Sequence, residues 1–218
     1  PLAVAVLPGS PYAVQTARRA HGRGKEVLVH MPMEPGDPAI RLGPTFLRLG
    51  MGRQELTATL RSNLRGIPFV AGINNHMGSA LTARSEPMAW VMAALRRRGL
   101  FFIDSRTTAD SRGLEKAREA GVPAAARDVF LDHKPSKAAV RAQFRQLLAE
   151  ARARGTAIGI GHPRPETLSV LREMLPEASA RGVEIVPVTE VVAVRARHRA
   201  EGGALARHGM QQRGGEQP

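Results

Sequence analysis

The stretch FVAGINNHMGS, residues 69–79, runs from apolar and small residues straight into two amides, an imidazole and a hydroxyl. An apolar run this short suits a strand buried on both faces. Polar groups directly behind it are costly to bury unless each finds a hydrogen-bond partner. The same order recurs at KEVLVH (25–30), LFFIDSR (100–106) and TAIGIGH (156–162). Between these runs lie stripes with helical spacing: Leu56, Leu60 and Leu64, then Met88, Val91, Met92 and Leu95, then Val140, Phe144 and Leu147, then Leu168, Leu171 and Leu175. Alternating strands and helices predict an α/β fold with a parallel sheet, open or closed as a barrel. The carboxyl ends of such strands share one face, so His30, Asn74, Asn75, His76, Asp104, Arg106 and His162 are expected to converge.

Outward from these segments, 2–7 reads as a first strand buried on both faces, and Ser10-Pro11 as the cap and first residue of a helix. Residues 31–52 are rich in Gly and Pro and read as a long loop. A less cleanly apolar segment, 124–131, ends near Asp128 and Asp132; Ser136 is placed to cap a helix, and 183–188 reads as the last strand. The expected domain is 1–194. Residues 195–218, rich in Arg, Gly and Gln, read as a disordered basic tail.

A chain of 218 residues with 43% hydrophobic content can bury one full core. The formal charge of +13 is compatible with nucleic acid, an anionic membrane surface or a polyanionic polymer. It is spread along many helices, however, and aromatics are only 4%, so no nucleic-acid partner is expected. The absence of cysteine removes disulfides, thiolate zinc sites and cysteine nucleophiles. No apolar run approaches the roughly 18 to 20 residues of a transmembrane segment. G-x-S-x-G, phosphate-loop and G-x-G-x-x-G patterns are missing, which weighs against serine hydrolases, nucleotide hydrolases and dinucleotide oxidoreductases.

What remains is metal-assisted hydrolysis by imidazole and carboxylate. His30 and Glu34 are four residues apart at a strand end, and both suit a zinc-type metal, although such a pair in a loop is more often a surface or hydrogen-bonding feature. Asn74, Asn75, His76 and Ser79 form a denser polar turn that either binds a ligand or caps the next helix. Asp104 beside Arg106 can hold a ligand, orient a histidine or tie a loop. His162, between Gly161 and Pro163, is well set for an acid or base of fixed orientation.

The segments VLPGSPYA, EVLVHMPMEP, INNHMGS, LFFIDSRTT, RDVFLD and IGIGHPRPETL, in this order, closely resemble the divergent polysaccharide deacetylase family. The resemblance implies a deacetylase-like (β/α) barrel of about seven strands with its site at the strand carboxyl ends. It implies a divalent metal, zinc first among candidates, held by His30, Glu34 and His76, and His162 as general acid with Asp104 as its orienting partner. Asn74, Asn75, Ser79, Arg106 and Asp128 would then contact substrate. The implied activity is removal of N- or O-acetyl groups from a cell-envelope polysaccharide, in a periplasmic or secreted protein. The family pattern also carries Asp-Asp-Leu-Gly on a strand ahead of the one at 2–7, and nothing here corresponds to it. The first strand and the catalytic Asp pair are therefore expected to be missing, by truncation of the chain. The alternative is a catalytically inactive carbohydrate-binding or envelope interaction protein of the same fold.

Overall fold

A computed structural model describes residues 1–198. The chain opens with β1 (Ala3–Val6), α1 (Ala13–His21), β2 (Glu26–Met33), α2 (Arg53–Arg65) and β3 (Val70–Met77). It continues through α3 (Ser85–Arg96), β4 (Phe101–Asp104), α4 (Gly113–Ala120), β5 (Ala124–Ala126) and β6 (Val129–Phe130). After α5 (Lys137–Arg154), β7 (Gly159–Ile160) and α6 (Pro165–Ala180), a last helical stretch covers 188–198. The expected α/β architecture holds. One parallel sheet runs in the order β1-β2-β3-β4-β5, and β6 and β7 form a second parallel pair.

Alternation along the strands divides the apolar residues into layers. Val27, Val29 and Met31 of β2 face outward and pack with Leu56, Leu60 and Met88 of the surrounding helices. Leu28, Phe101, Ile103, Ala125 and Ile158 face inward, where Val191 and Val192 of the last helix join them. That helix therefore plugs the interior. Its start is tied down by Glu26, whose carboxylate accepts from the amide of Thr189 at 3.1 Å. A third cluster, with Val140, Phe144 and Leu148 against Val170 and Met174, joins α5 to α6. Ser136 caps α5 as expected, its hydroxyl accepting from the Ala139 amide.

Several expectations are corrected. β1 is an edge strand with Ala3 and Ala5 exposed, not one buried on both faces, and Ser10 donates to the Leu7 carbonyl instead of capping α1. β2 and β3 each extend past the apolar run, so His30 and His76 sit inside strands, not in the loops after them. The segment 124–131 divides into two short strands, and 183–188 forms none, because the chain turns there into the plug helix. The first four residues of the expected tail, 195–198, belong to that helix. Arg195 donates to the Ala126 carbonyl, the Thr156 hydroxyl and Asp128. The rest of the expected tail, 199–218, lies outside the described residues.

β1 and β7 each stand at the end of their sheet, and the sides left free face a cavity of about 760 Å³. Ala3, Ala5, Phe144, Ile160 and Leu171 line it, and it reaches His30 and His162 at the strand carboxyl ends. Among the described residues no helix is long and apolar enough to cross a membrane.

The register between β2 and β3 carries one irregularity. Val27 pairs with Val70, but Leu28 pairs with Gly72, so β3 holds one extra residue at Ala71. From there His30 pairs with Asn74. A bulge of this kind re-aims every later side chain of its strand. Gly72 also lies against the Phe101 ring, where an added Cβ would come within 2.6 Å. Gly72→Ala is expected to destabilise the fold by about 1–3 kcal/mol through overpacking, read as a lower urea midpoint with unchanged slope.

Candidate active site

Three histidines meet at the strand carboxyl ends. His30 Nδ1 lies 3.1 Å from Asn74 Oδ1, which can only accept, so the ring proton sits on Nδ1 and Nε2 keeps its lone pair. His76 Nδ1 approaches that Nε2 to 3.1 Å. This spacing fits a hydrogen bond, and it is also near the separation of about 3.3 Å that two nitrogens adopt on one tetrahedral zinc. Asn74 is fixed in turn by donating from Nδ2 to the Ser105 hydroxyl. The long loop brings Phe46 edge-on toward His76, with ring centroids 6.3 Å apart. The loop is pinned by buried Asn63, which donates to the Thr45 carbonyl at 2.7 Å.

Burial, reinforced by the neighbouring His76, lowers the pKa of His30 to about 4, although its bond to Asn74 pulls the other way. His76 is also lowered, first by burial and then by the charge of His162. Both rings are thus held neutral near pH 7, the form in which imidazole ligates a metal.

The opposite wall is a clamp around Asp132, whose side chain is fully buried. One carboxylate oxygen accepts from His162 Nδ1 at 3.1 Å. The other accepts from the His162 backbone amide at 2.7 Å and from the Thr167 hydroxyl at 3.1 Å. Gripping the ring and the backbone of one residue together fixes the direction of Nε2. Phe130 meets the His162 ring edge-on at 5.6 Å, and the Arg127 guanidinium stacks over Phe130 at 5.2 Å.

The structure brings His30, Asn74, His76 and His162 together and sends the other expected residues elsewhere. Asp104 does not orient His162. It faces outward, where Oδ1 accepts from the Arg106 amide and Oδ2 from the Ser111 hydroxyl. Glu34 accepts from the Leu49 amide at 2.7 Å, which commits its carboxylate to the long loop. Asn75 ties β3 to the segment after β4 by accepting from the Ser105 amide. Ser79 accepts from the Gly36 amide, Arg106 is an exposed loop residue with φ of 52°, and Asp128 pairs with Arg195 and the Ile158 amide. The expected metal set of His30, Glu34 and His76 thus contributes two nitrogens, and no third acidic, cysteine or histidine side chain among the described residues joins them. Asp132, Thr167, Phe130 and Arg127 were not assigned roles from sequence. The signal for Asp132 was available: its distance of thirty residues from His162 matches the step between adjacent strands β6 and β7.

Comparison with known proteins places this geometry in context. The profile of a family described as divergent polysaccharide deacetylase matches residues 1–192. An uncharacterized protein of Escherichia coli K12, YibQ, is 41% identical over 174 residues, covering 80% of this chain and 54% of that protein. An uncharacterized protein of Haemophilus influenzae is 39% identical over 171 residues, covering 78% of this chain and 61% of that protein. The chain therefore spans between half and two thirds of the length of these relatives. The crystal structure of an uncharacterized protein from Agrobacterium tumefaciens superposes with a TM-score of 0.79 at 26% identity, covering 87% of this chain and 88% of that one.

Two outcomes follow from the site geometry. Unfolded His30 takes up its proton near pH 6.5 and the native residue only near 4. Between those values the unfolded state binds more protons, so stability is complete above 6.5 and falls as pH drops toward 4, by about 3 kcal/mol. Denaturant unfolding across this window should show the fall in the native chain and a shallower one in His30→Gln. Asp132→Ala strands the His162 amide and the Thr167 hydroxyl without an acceptor, which should cost about 1–3 kcal/mol in the same measurement at neutral pH.

Proposed function

Because the chain belongs to the divergent polysaccharide deacetylase family, we propose that its strand-end site removes acetyl groups from a cell-envelope polysaccharide, in the periplasm or outside the cell. The observation that carries this reading is an Asp132-oriented His162 lining one cavity with His30, whose neutral ring is in turn in contact with the neutral ring of His76. Hydrolysis of an acetamide needs the carbonyl polarised on one side and a proton delivered to the leaving nitrogen on the other. His30 Nε2 and His76 Nδ1 would hold a divalent metal, zinc by the nature of the donors, and when bound it supplies Lewis acidity toward the acetyl oxygen. His162 Nε2 gives its proton to the amine as the carbon–nitrogen bond breaks, and water provides the hydroxyl that leaves as acetate. Asp132 keeps the ring in the tautomer that presents Nε2 and stabilises its positive charge before transfer.

Two nitrogens leave a metal underligated and no base assigned. We place the remaining groups on one further parallel strand in the slot between β1 and β7, whose carboxyl end would arrive between His30 and His162. The Asp pair that the family resemblance implies would take this position. A free strand edge on each side and an apolar lining support it. A second reading, a carbohydrate-binding protein without turnover, is favoured by one observation: Glu34 is spent on the Leu49 amide.

The test is acetate release from acetylated chitooligosaccharide or peptidoglycan fragments, with zinc measured in the same samples. The expected result is activity when a strand ending in Asp-Asp-Leu-Gly is joined ahead of Pro1, abolished by chelation and lowered about 100-fold or more in His162→Ala. Glycan binding that survives both chelation and His162→Ala, with no acetate released, selects the second reading.

A further inference from the structure

The end of the fold opposite the site, where strands begin and helices finish, has its own chemistry. The last turn of α1 carries Arg18 and Arg19, Arg23 follows it, α2 finishes at Arg65, and Arg97 caps α3. All five are exposed, and none has an ion-pair partner among the described residues. A cation in the last turn complements the helix dipole, and elsewhere in the fold arginines near helix ends also find specific partners. Arg96 donates to the Ala120 carbonyl, and Arg154 and Arg181 pair with Glu150 and Glu177. The five do neither. Glu26, the acid at the start of β2, is committed to the start of the plug helix. Five exposed arginines without ion pairs among the described residues therefore stand at this end of the fold.

In the same rim stands Phe69, immediately before β3 and one step behind the Val27–Val70 pair. It is 49% exposed and has φ of 61°. A bulky residue in the left-handed region costs about 1–3 kcal/mol, and this one recovers only part of that by burial. Its ring lies flat on His21, with centroids 3.9 Å apart and planes 5° from parallel. A strained backbone thus presents a braced aromatic ring to solvent among unpaired arginines.

We propose that this end docks on a bilayer surface containing anionic phospholipid, the arginines meeting lipid phosphates and Phe69 entering the headgroup boundary. A single aromatic stack among cations suits that interface better than single-stranded nucleic acid, whose successive bases need successive platforms. The docking stands independently of the deacetylase reading. Its geometric consequence is that the three histidines face away from the bilayer.

The test is co-sedimentation of the full chain with vesicles of phosphatidylcholine alone and of phosphatidylcholine with phosphatidylglycerol. Binding is expected only to the second, weakening about fivefold for each cation removed in Arg23→Gln, Arg65→Gln and Arg97→Gln. Phe69→Gly should also weaken it while leaving stability unchanged, since glycine accepts the positive φ. Arg48→Gln with Arg53→Gln, at the site end, should bind as the native chain does. Equal binding to both vesicles, binding unaffected by the rim variants, or loss of equal size in the site-end variant would overturn the proposal. Tighter retention by RNA than by vesicles, insensitive to Phe69→Gly, would overturn it in favour of a polyanion partner.

Discussion

One extra residue in β3 sets the geometry on which the site depends. Without the bulge at Ala71, the Val27–Val70 register would continue and bring Ile73 level with His30. With it, Asn74 stands level with His30 and His76 turns toward the same interior. The hydrogen bond from His30 to Asn74, the contact between the two rings and their lowered basicity all depend on this step. Gly72 lets the bulge pass under the Phe101 ring, which links the interior packing directly to the alignment of the histidines. A local irregularity of backbone pairing is here the device that turns two buried strands into opposed donors.

The two walls of the site are built on different physics. On the β2–β3 side, burial and repulsion from neighbouring imidazoles hold the basicity of His30 and His76 down, leaving both uncharged near pH 7. On the β6–β7 side, a buried carboxylate with three donors holds an imidazole by its ring and its backbone. The contrast gives each histidine a separate character although all are the same residue type. Family membership is consistent with such a division of labour, and the relatives identified by sequence are themselves uncharacterized proteins.

Much of the architecture was legible because the chain writes it in periodicity: helical stripes such as Leu56, Leu60 and Leu64, and short apolar runs ending in polar residues. The phase of the strands was not legible. A strand covered on both faces is apolar throughout, so the sequence LFFID does not say which of its residues face inward. Phe101 and Ile103 do, and Asp104 falls on the helical side. Asp132 took the place expected for Asp104 because β6, only two residues long, runs together with β5 in the apolar pattern of 124–131. Glu34 was misread for a related reason: β2 continues through Met33, so Glu34 enters the loop beside Leu49. The gathering of arginines at one end was likewise hidden, since residues such as Arg23, Arg65 and Arg97 are far apart until the strands align.

The plug helix bears on the order in which this molecule can assemble. Leu28 and Phe101 reach their final surroundings only when Val191 and Val192 arrive, and Glu26 waits for Thr189, a partner 163 residues away. Contacts of such long sequence separation form slowly, and chain synthesis delivers this helix after all seven strands. The growing chain therefore passes through a stage in which the inner apolar face of its sheet is wet, until this helix docks on it.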